Sequence, residues 1–328
     1  MTLFSFRQFV ADNPLFATLV LLFGLLGAVL PGFDYELTLW FSRHQNQAFT
    51  EFMGRSFFES GLPGGADLVI FAMLAALVGY LLASFEKGPK ALRNWLPSFG
   101  FAVFGAIVSA VCLVHGTKWI IGRARPKEVV YQQLAYSDWF EGGAHFINEG
   151  IYRGSFPSGH TLAAFLIMLA AYALAGDPQH SRGLKLVGWG VGALAVVYAG
   201  AMSVARVMSL NHWVSDCLLG MLLAWLLMHS CYCWVLRVPE QNRLRRAGQQ
   251  ARSPRLFELR LGLLVLGCTA GVTLALLGLR AVFVLQLHPL VLLLPVGTLL
   301  AVFFIRSTIS LYQSFQQRVL HAGGDSQL

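Results

Sequence analysis

The sequence predicts an all-α fold, a polytopic membrane helix bundle of about eight spans, on three observations. Of its 328 residues 56% are hydrophobic and only 12% charged, whereas a water-facing surface normally carries about 25–35% Lys, Arg, Glu and Asp. Its apolar runs repeatedly reach the ~20 residues that cross a hydrocarbon core of about 30 Å. The basic residues behind the formal charge of +8 lie in short segments between those runs, as the positive-inside bias requires. The charge therefore indicates a membrane partner and excludes nucleic acid.

Asp12-Asn13-Pro14 starts the first helix, with a capping side chain before a proline in the first turn. The run 15–30 that follows is read as a retained helix, because no small-residue cleavage pattern follows it. Further runs cover 67–84, 98–121, 158–175, 184–204 and 212–236, so residues 1–236 form a six-span core. Residues 237–260, rich in arginine, read as a basic cytoplasmic linker. Residues 261–328 add two C-terminal helices, 261–279 and 284–305, and a tail. In the last run His288, Pro289 and Pro295 mark candidate kinks. All five cysteines fall inside apolar runs, as small buried hydrophobes do, and show neither a disulfide framework nor zinc spacing.

Three polar clusters interrupt this apolar chain: residues 118–126 (KWIIGRARP), 155–160 (SFPSGH) and 206–216 (RVMSLNHWVSD). The first ends the third span, the second opens the fourth, and the third joins the fifth to the sixth. All three therefore share one membrane face. The Lys and Arg count of the loops makes that face the outer one and places both termini in the cytoplasm. Ionisable groups at such positions are costly, which makes them functional-site candidates.

His212 and Asp216 are four residues apart, so on a helix they lie on one face and can hydrogen bond. A carboxylate holding one ring nitrogen leaves the other to attack or to take a proton; a purely structural hydrogen bond is the plainer alternative. Lys118, Arg125 and Arg206 offer cations to the oxygens of a phosphoryl group, which the arginine fork matches bidentately. Taken singly, each also suits a helix end whose cation snorkels to headgroups, and Arg123 and Lys127 need do no more than that. In Pro157-Ser158-Gly159-His160 the proline presets a turn, Ser158 can cap a helix, and Gly159 lets a ligand approach the backbone N–H groups at its positive end. His160 beside that terminus is a candidate general acid. The loop 128–154, with Tyr131, Tyr136, Trp139 and Phe140, either covers the site or lies in the lipid interface.

Together the clusters resemble the type 2 phosphatidic acid phosphatase family, whose site is shared with vanadium haloperoxidases. The family pattern is Lys, six residues, Arg-Pro; then Pro-Ser-Gly-His; then Ser-Arg, five residues, His, three residues, Asp. It is matched at Lys118 to Pro126, at Pro157 to His160, and at Arg206, His212 and Asp216, with Ala205 in place of the usual serine. The resemblance implies His212 as a nucleophile forming a phosphohistidine and Asp216 as its orienting group. It implies His160 as the acid for the leaving oxygen, and Lys118, Arg125, Arg206, Ser158 and the Gly159 backbone as the phosphate-binding set. It implies no cofactor and no metal. The expected activity is that of an integral membrane lipid phosphatase, in a bacterial inner membrane with its site facing the periplasm. The expected substrate is a phospholipid or polyprenyl phosphate: undecaprenyl pyrophosphate, by a small margin, phosphatidylglycerol phosphate, or lipid A 1-phosphate. A phosphotransferase using another lipid as acceptor and a non-catalytic lipid-phosphate carrier are the alternatives.

Overall fold

The computed structural model describes residues 3–57, 61–65, 67–85, 87–141, 154–248, 256–285 and 289–324. The described residues are helical throughout, with no strand. Helix α1 (Leu3–Asp12) leads into α2 (Pro14–Val29), which starts at the predicted proline. Asn13 does not cap it; its side-chain amide instead donates back to the Phe9 carbonyl at 2.9 Å. Two short helices, α3 (Asp34–Arg43) and α4 (Gln47–Gly54), occupy the first loop before α5 (Asp67–Ser84).

The third span is α6 (Leu96–Ala106), a π-helical segment at Ile107–Cys112, and α7 (Leu113–Ile121). A π turn takes in an extra residue and shifts the helical phase beyond it. Past this one, Leu113, Val114 and Lys118 are all buried. Gly122, at φ 62°, stops the helix in the left-handed region that suits glycine, and α8 (Pro126–Gln132) follows. The chain then runs through α9 (Gly159–Phe165), α10 (Ile167–Ala175), α11 (Arg182–Met208), α12 (Val214–Ser230) and α13 (Val238–Arg246). The C-terminal pair is α14 (Phe257–Leu285) and α15 (Leu293–Gly324).

Among the described residues seven helices are long and apolar enough to cross a membrane, and an eighth apolar segment, Gly159–Ala175, is shorter. At 1.5 Å per residue it reaches only about 26 Å, less than the hydrocarbon thickness of about 30 Å. It tolerates this because protein surrounds it: α9 packs on α11 and α12, α10 on α11 and α6, and Leu162, Phe165 and Leu169 have no exposed surface. This central segment carries the second polar cluster at its N-terminus.

The C-terminal pair differs from expectation in its boundaries. The helix predicted to end at 279 continues to Leu285, and Arg280 within it donates to the Ile120 carbonyl at 3.0 Å, at the end of α7. Pro289 opens a 3-10 turn and Pro295 lies in the first turn of α15, so both prolines mark a helix start and not a kink. His288 lies outside the described residues. The pair closes on itself through glycines: a Cβ at Gly271 would meet the Ala301 backbone at 2.5 Å, and one at Gly297 the Ala275 backbone at 2.2 Å. Small residues of this kind bring membrane helices together. The pair is held to the core where α14 runs along α6 and α7, with Gly116 against Thr269 and the buried Glu258 accepting from the Tyr80 hydroxyl at 2.8 Å.

Candidate active site

The three clusters converge at one end of the bundle, where α7 ends and α9 and α12 begin. At their centre is Arg123, with no exposed surface. One of its terminal nitrogens donates to Asp216 Oδ1 at 2.8 Å and to Ser215 Oγ at 2.7 Å; the other donates to Asp34 Oδ2 at 2.8 Å. Its Nε donates to the Ser137 carbonyl at 2.8 Å, and the guanidinium lies against the rings of Tyr136 and Trp213. Arg123 is therefore not the snorkelling cation expected from its place at a helix end. A planar fork with five donors can bridge two buried carboxylates and a carbonyl at once. Trp139 donates to the Gly27 carbonyl at 3.1 Å, and with Tyr136 it makes residues 136–139 a cover for the ion cluster; residues 142–153 of that loop lie outside the described region.

His212 is not on a helix face with Asp216. Helix α12 begins at Val214, and Trp213 is its N-terminal cap residue. His212 stands in the preceding turn, whose backbone folds onto the Arg206 carbonyl: Asn211 N donates to it at 3.1 Å and His212 N at 3.3 Å. The His212 Nδ1 lies 2.8 Å from the Ser155 carbonyl and 3.6 Å from Asp216 Oδ2. Hydrogen bonding to a carbonyl at that distance makes Nδ1 the protonated nitrogen and leaves Nε2 as the lone-pair atom. Asp216 acts one step behind, accepting from the Trp213 backbone N at 2.8 Å and from the Ser155 hydroxyl. It therefore anchors the residue whose carbonyl orients the imidazole.

The second cluster is tied to the same carboxylate residue. Ser155 N donates to the Arg123 carbonyl at 2.8 Å and Ser158 N to the Asp216 carbonyl at 3.1 Å. The Ser158 side chain is buried and caps α9, accepting from Thr161 N at 3.4 Å and from the Thr161 hydroxyl at 3.0 Å. A Cβ at Gly159 would find only Val114 Cγ1, at an ordinary 3.4 Å, so packing alone does not require glycine there. Lys118 is buried, while Arg125, Arg206 and His160 are half-buried. The charges of Arg206, Lys118 and Arg125 all act on His160, and those of Lys118 and Arg206 also act on His212. The six ionisable residues predicted, Lys118, Arg125, His160, Arg206, His212 and Asp216, thus act on one another electrostatically, and Ser158 joins them through its backbone bond to Asp216. Lys127 sits beside it, its ammonium donating to Asn211 Oδ1 at 3.1 Å.

Sequence reasoning missed Asp34, Ser155 and the role of Arg123. Asp34 begins a short helix in an extramembrane loop, 89 residues from Arg123, and no local pattern links the two. Ser155 acts through a backbone carbonyl, which no residue type announces.

Burial pushes the His212 imidazole down to about 3; the nearby Asp216 carboxylate opposes this and the charge of Lys118 adds to it. An unfolded histidine takes up its proton near about 6.5, so the folded chain binds fewer protons between those two values. The stability this contributes is fully present above about pH 6.5 and is lost as the pH falls toward about 3. In detergent, the melting temperature is expected to fall between about pH 7 and about pH 5, and His212→Gln to flatten that slope. Identical slopes for the two proteins would contradict it.

The fold is that of a polytopic helical membrane bundle, with three polar clusters rich in cations and imidazoles gathered at one end of it. Residues 99–240 match the family model described as PAP2 superfamily, which supports the family resemblance carried by the three motifs. The match runs from α6 into the first turn of α13 and contains all three clusters. No curated protein and no solved structure matches the chain.

Proposed function

We propose that the protein is a lipid phosphatase that works through a phosphohistidine. The observation that carries this reading is the placement of three cations, Lys118, Arg125 and Arg206, around two imidazoles beside the N-terminus of α9. Binding a phosphate headgroup needs the cations; it has no use for a neutral, carbonyl-oriented imidazole with an available Nε2.

In the proposed reaction the phosphoryl oxygens are held by Lys118, Arg125, Arg206 and the backbone N–H groups that open α9, the donors strengthening as charge develops. His212 Nε2 attacks phosphorus, forming a P–N bond as the P–O bond to the leaving group breaks. His160 gives its proton to that leaving oxygen. It then takes a proton from water, whose oxygen attacks phosphorus as the P–N bond breaks, releasing inorganic phosphate and restoring both imidazoles. Asp216, through Ser155, holds His212 in the tautomer this needs. The excess of Lys and Arg in the opposite loops supports an orientation with the site on the outer face and both termini in the cytoplasm.

The test is phosphate release by the purified full-length protein from a panel of lipid phosphates and pyrophosphates. A labelled substrate should leave an acid-labile phosphoryl group on the protein. Turnover without such a label would refute the intermediate, and transfer of label to added acceptor lipid in place of water would make the protein a phosphotransferase.

A further inference from the structure

A groove of about 230 Å³ opens where the C-terminal pair meets the rest of the bundle, between α7 and α14, at the end that carries the clusters. The two helices touch at Gly116, where a Cβ would come within 2.9 Å of Thr269 Cγ2. Beyond that contact the groove begins, with Trp119 and Ile120 on one wall and Leu276, Leu277 and Phe283 on the other. Its described lining holds one cation, Arg280, and no carboxylate.

These walls fit an amphiphile. Ile120, Leu276 and Phe283 are exposed, so the groove is open sideways, toward the hydrocarbon around the bundle. Its volume is below the about 300–1,000 Å³ of sites that enclose a whole ligand, and suits one acyl chain of a molecule whose remainder stays in the bilayer. Arg280 does not simply snorkel away from the walls: its guanidinium is fixed beside them by the bond to the Ile120 carbonyl at 3.0 Å. A planar fork held at an apolar wall matches the oxygens of a phosphate. A zwitterionic headgroup also brings an ammonium, for which this lining offers no carboxylate. The groove does not lead into the cluster, because residues on a helix are about 100° apart and Ile120 therefore lies about 160° round α7 from Lys118, which is buried.

We propose that this groove is an accessory site for an anionic phospholipid of the bilayer, with one acyl chain lying between α7 and α14 and the phosphodiester on Arg280. Such a lipid has no terminal phosphate to release, so it stands outside the substrates of the phosphatase reading, and the proposal does not rest on that reading. The α14 wall, residues 276–283, lies beyond the segment matched by the family model, so the site depends on the added C-terminal pair. A lipid that bridges α7 and α14 there braces the end of the helix that carries Lys118.

The delipidated full-length protein in detergent is titrated with phosphatidylglycerol and with phosphatidylcholine of the same chain length, and bound lipid is counted by native mass spectrometry. The wild type is expected to bind the first phosphatidylglycerol about tenfold more tightly than phosphatidylcholine, the effect of one charge-assisted hydrogen bond. In Arg280→Gln that ratio should fall toward one, and Arg280→Lys should keep part of it. Leu276→Trp, which fills the groove and keeps the cation, should weaken binding of both lipids. Equal binding of the two lipids by the wild type, or a ratio unchanged in Arg280→Gln, overturns the site. If Arg280→Gln does not elute at the wild-type position, Leu276→Trp decides: undiminished binding of phosphatidylglycerol overturns the site. Loss of phosphate release has no bearing on these outcomes, so the site and the phosphatase reading fail separately.

Discussion

Replacing His212 with alanine is expected to abolish phosphate release, lowering turnover by at least about 10³-fold. Nothing else in the cluster can form the P–N bond with the same geometry: the nucleophilic nitrogen is set by the Ser155 carbonyl at 2.8 Å from Nδ1, and His160 lacks such an orienting bond among those described. The variant should also fail to take up label from a labelled lipid phosphate. Folding is a separate question, because the side chain makes one hydrogen bond to the rest of the protein; the variant should elute as a monodisperse species at the wild-type position. Release at wild-type rates from such a preparation would remove His212 from the mechanism.

The second large effect concerns stability. Arg123→Ala leaves Asp34 and Asp216, both essentially without exposed surface, buried with no cation between them. Removing one partner of a buried ion pair typically costs about 3–5 kcal/mol, because the remaining charge is uncompensated. The variant is expected to melt far below the wild type in detergent and to lose phosphate release with it. Arg123→Lys keeps the charge but cannot reach Asp34, Asp216, Ser215 and Ser137 together, so it should fall between the two. Asp34→Asn should be the mildest, since Arg123 still compensates Asp216. An Arg123→Ala protein that melts with the wild type would show that the ion cluster does not hold this end of the bundle together.

Much of this protein could be read without coordinates, for identifiable reasons. A bilayer requires long apolar helices whose backbone groups are satisfied internally, so hydropathy alone located α2, α5, the α6–α7 span, α11 and α12. The three motifs were legible because charged and imidazole side chains are rare in such a background. Ser158 as the cap of α9 followed from a local rule about one turn of chain.

Other features depend on contacts between distant segments, and these only the tertiary structure decided. That Arg123 is a buried bridge and Arg125 a half-buried cation cannot be inferred from two residues in one short turn; it depends on where Asp34 and Asp216 arrive. The orienting partner of His212 is a carbonyl brought in from residue 155, and the i to i+4 spacing that pointed to Asp216 lost its meaning once the helix was found to begin at Val214. The groove at Arg280 follows from the way α14 packs on α7. Periodicity and composition determine which segments enter the membrane; which side chains meet at its edge is determined by packing among segments far apart in the chain.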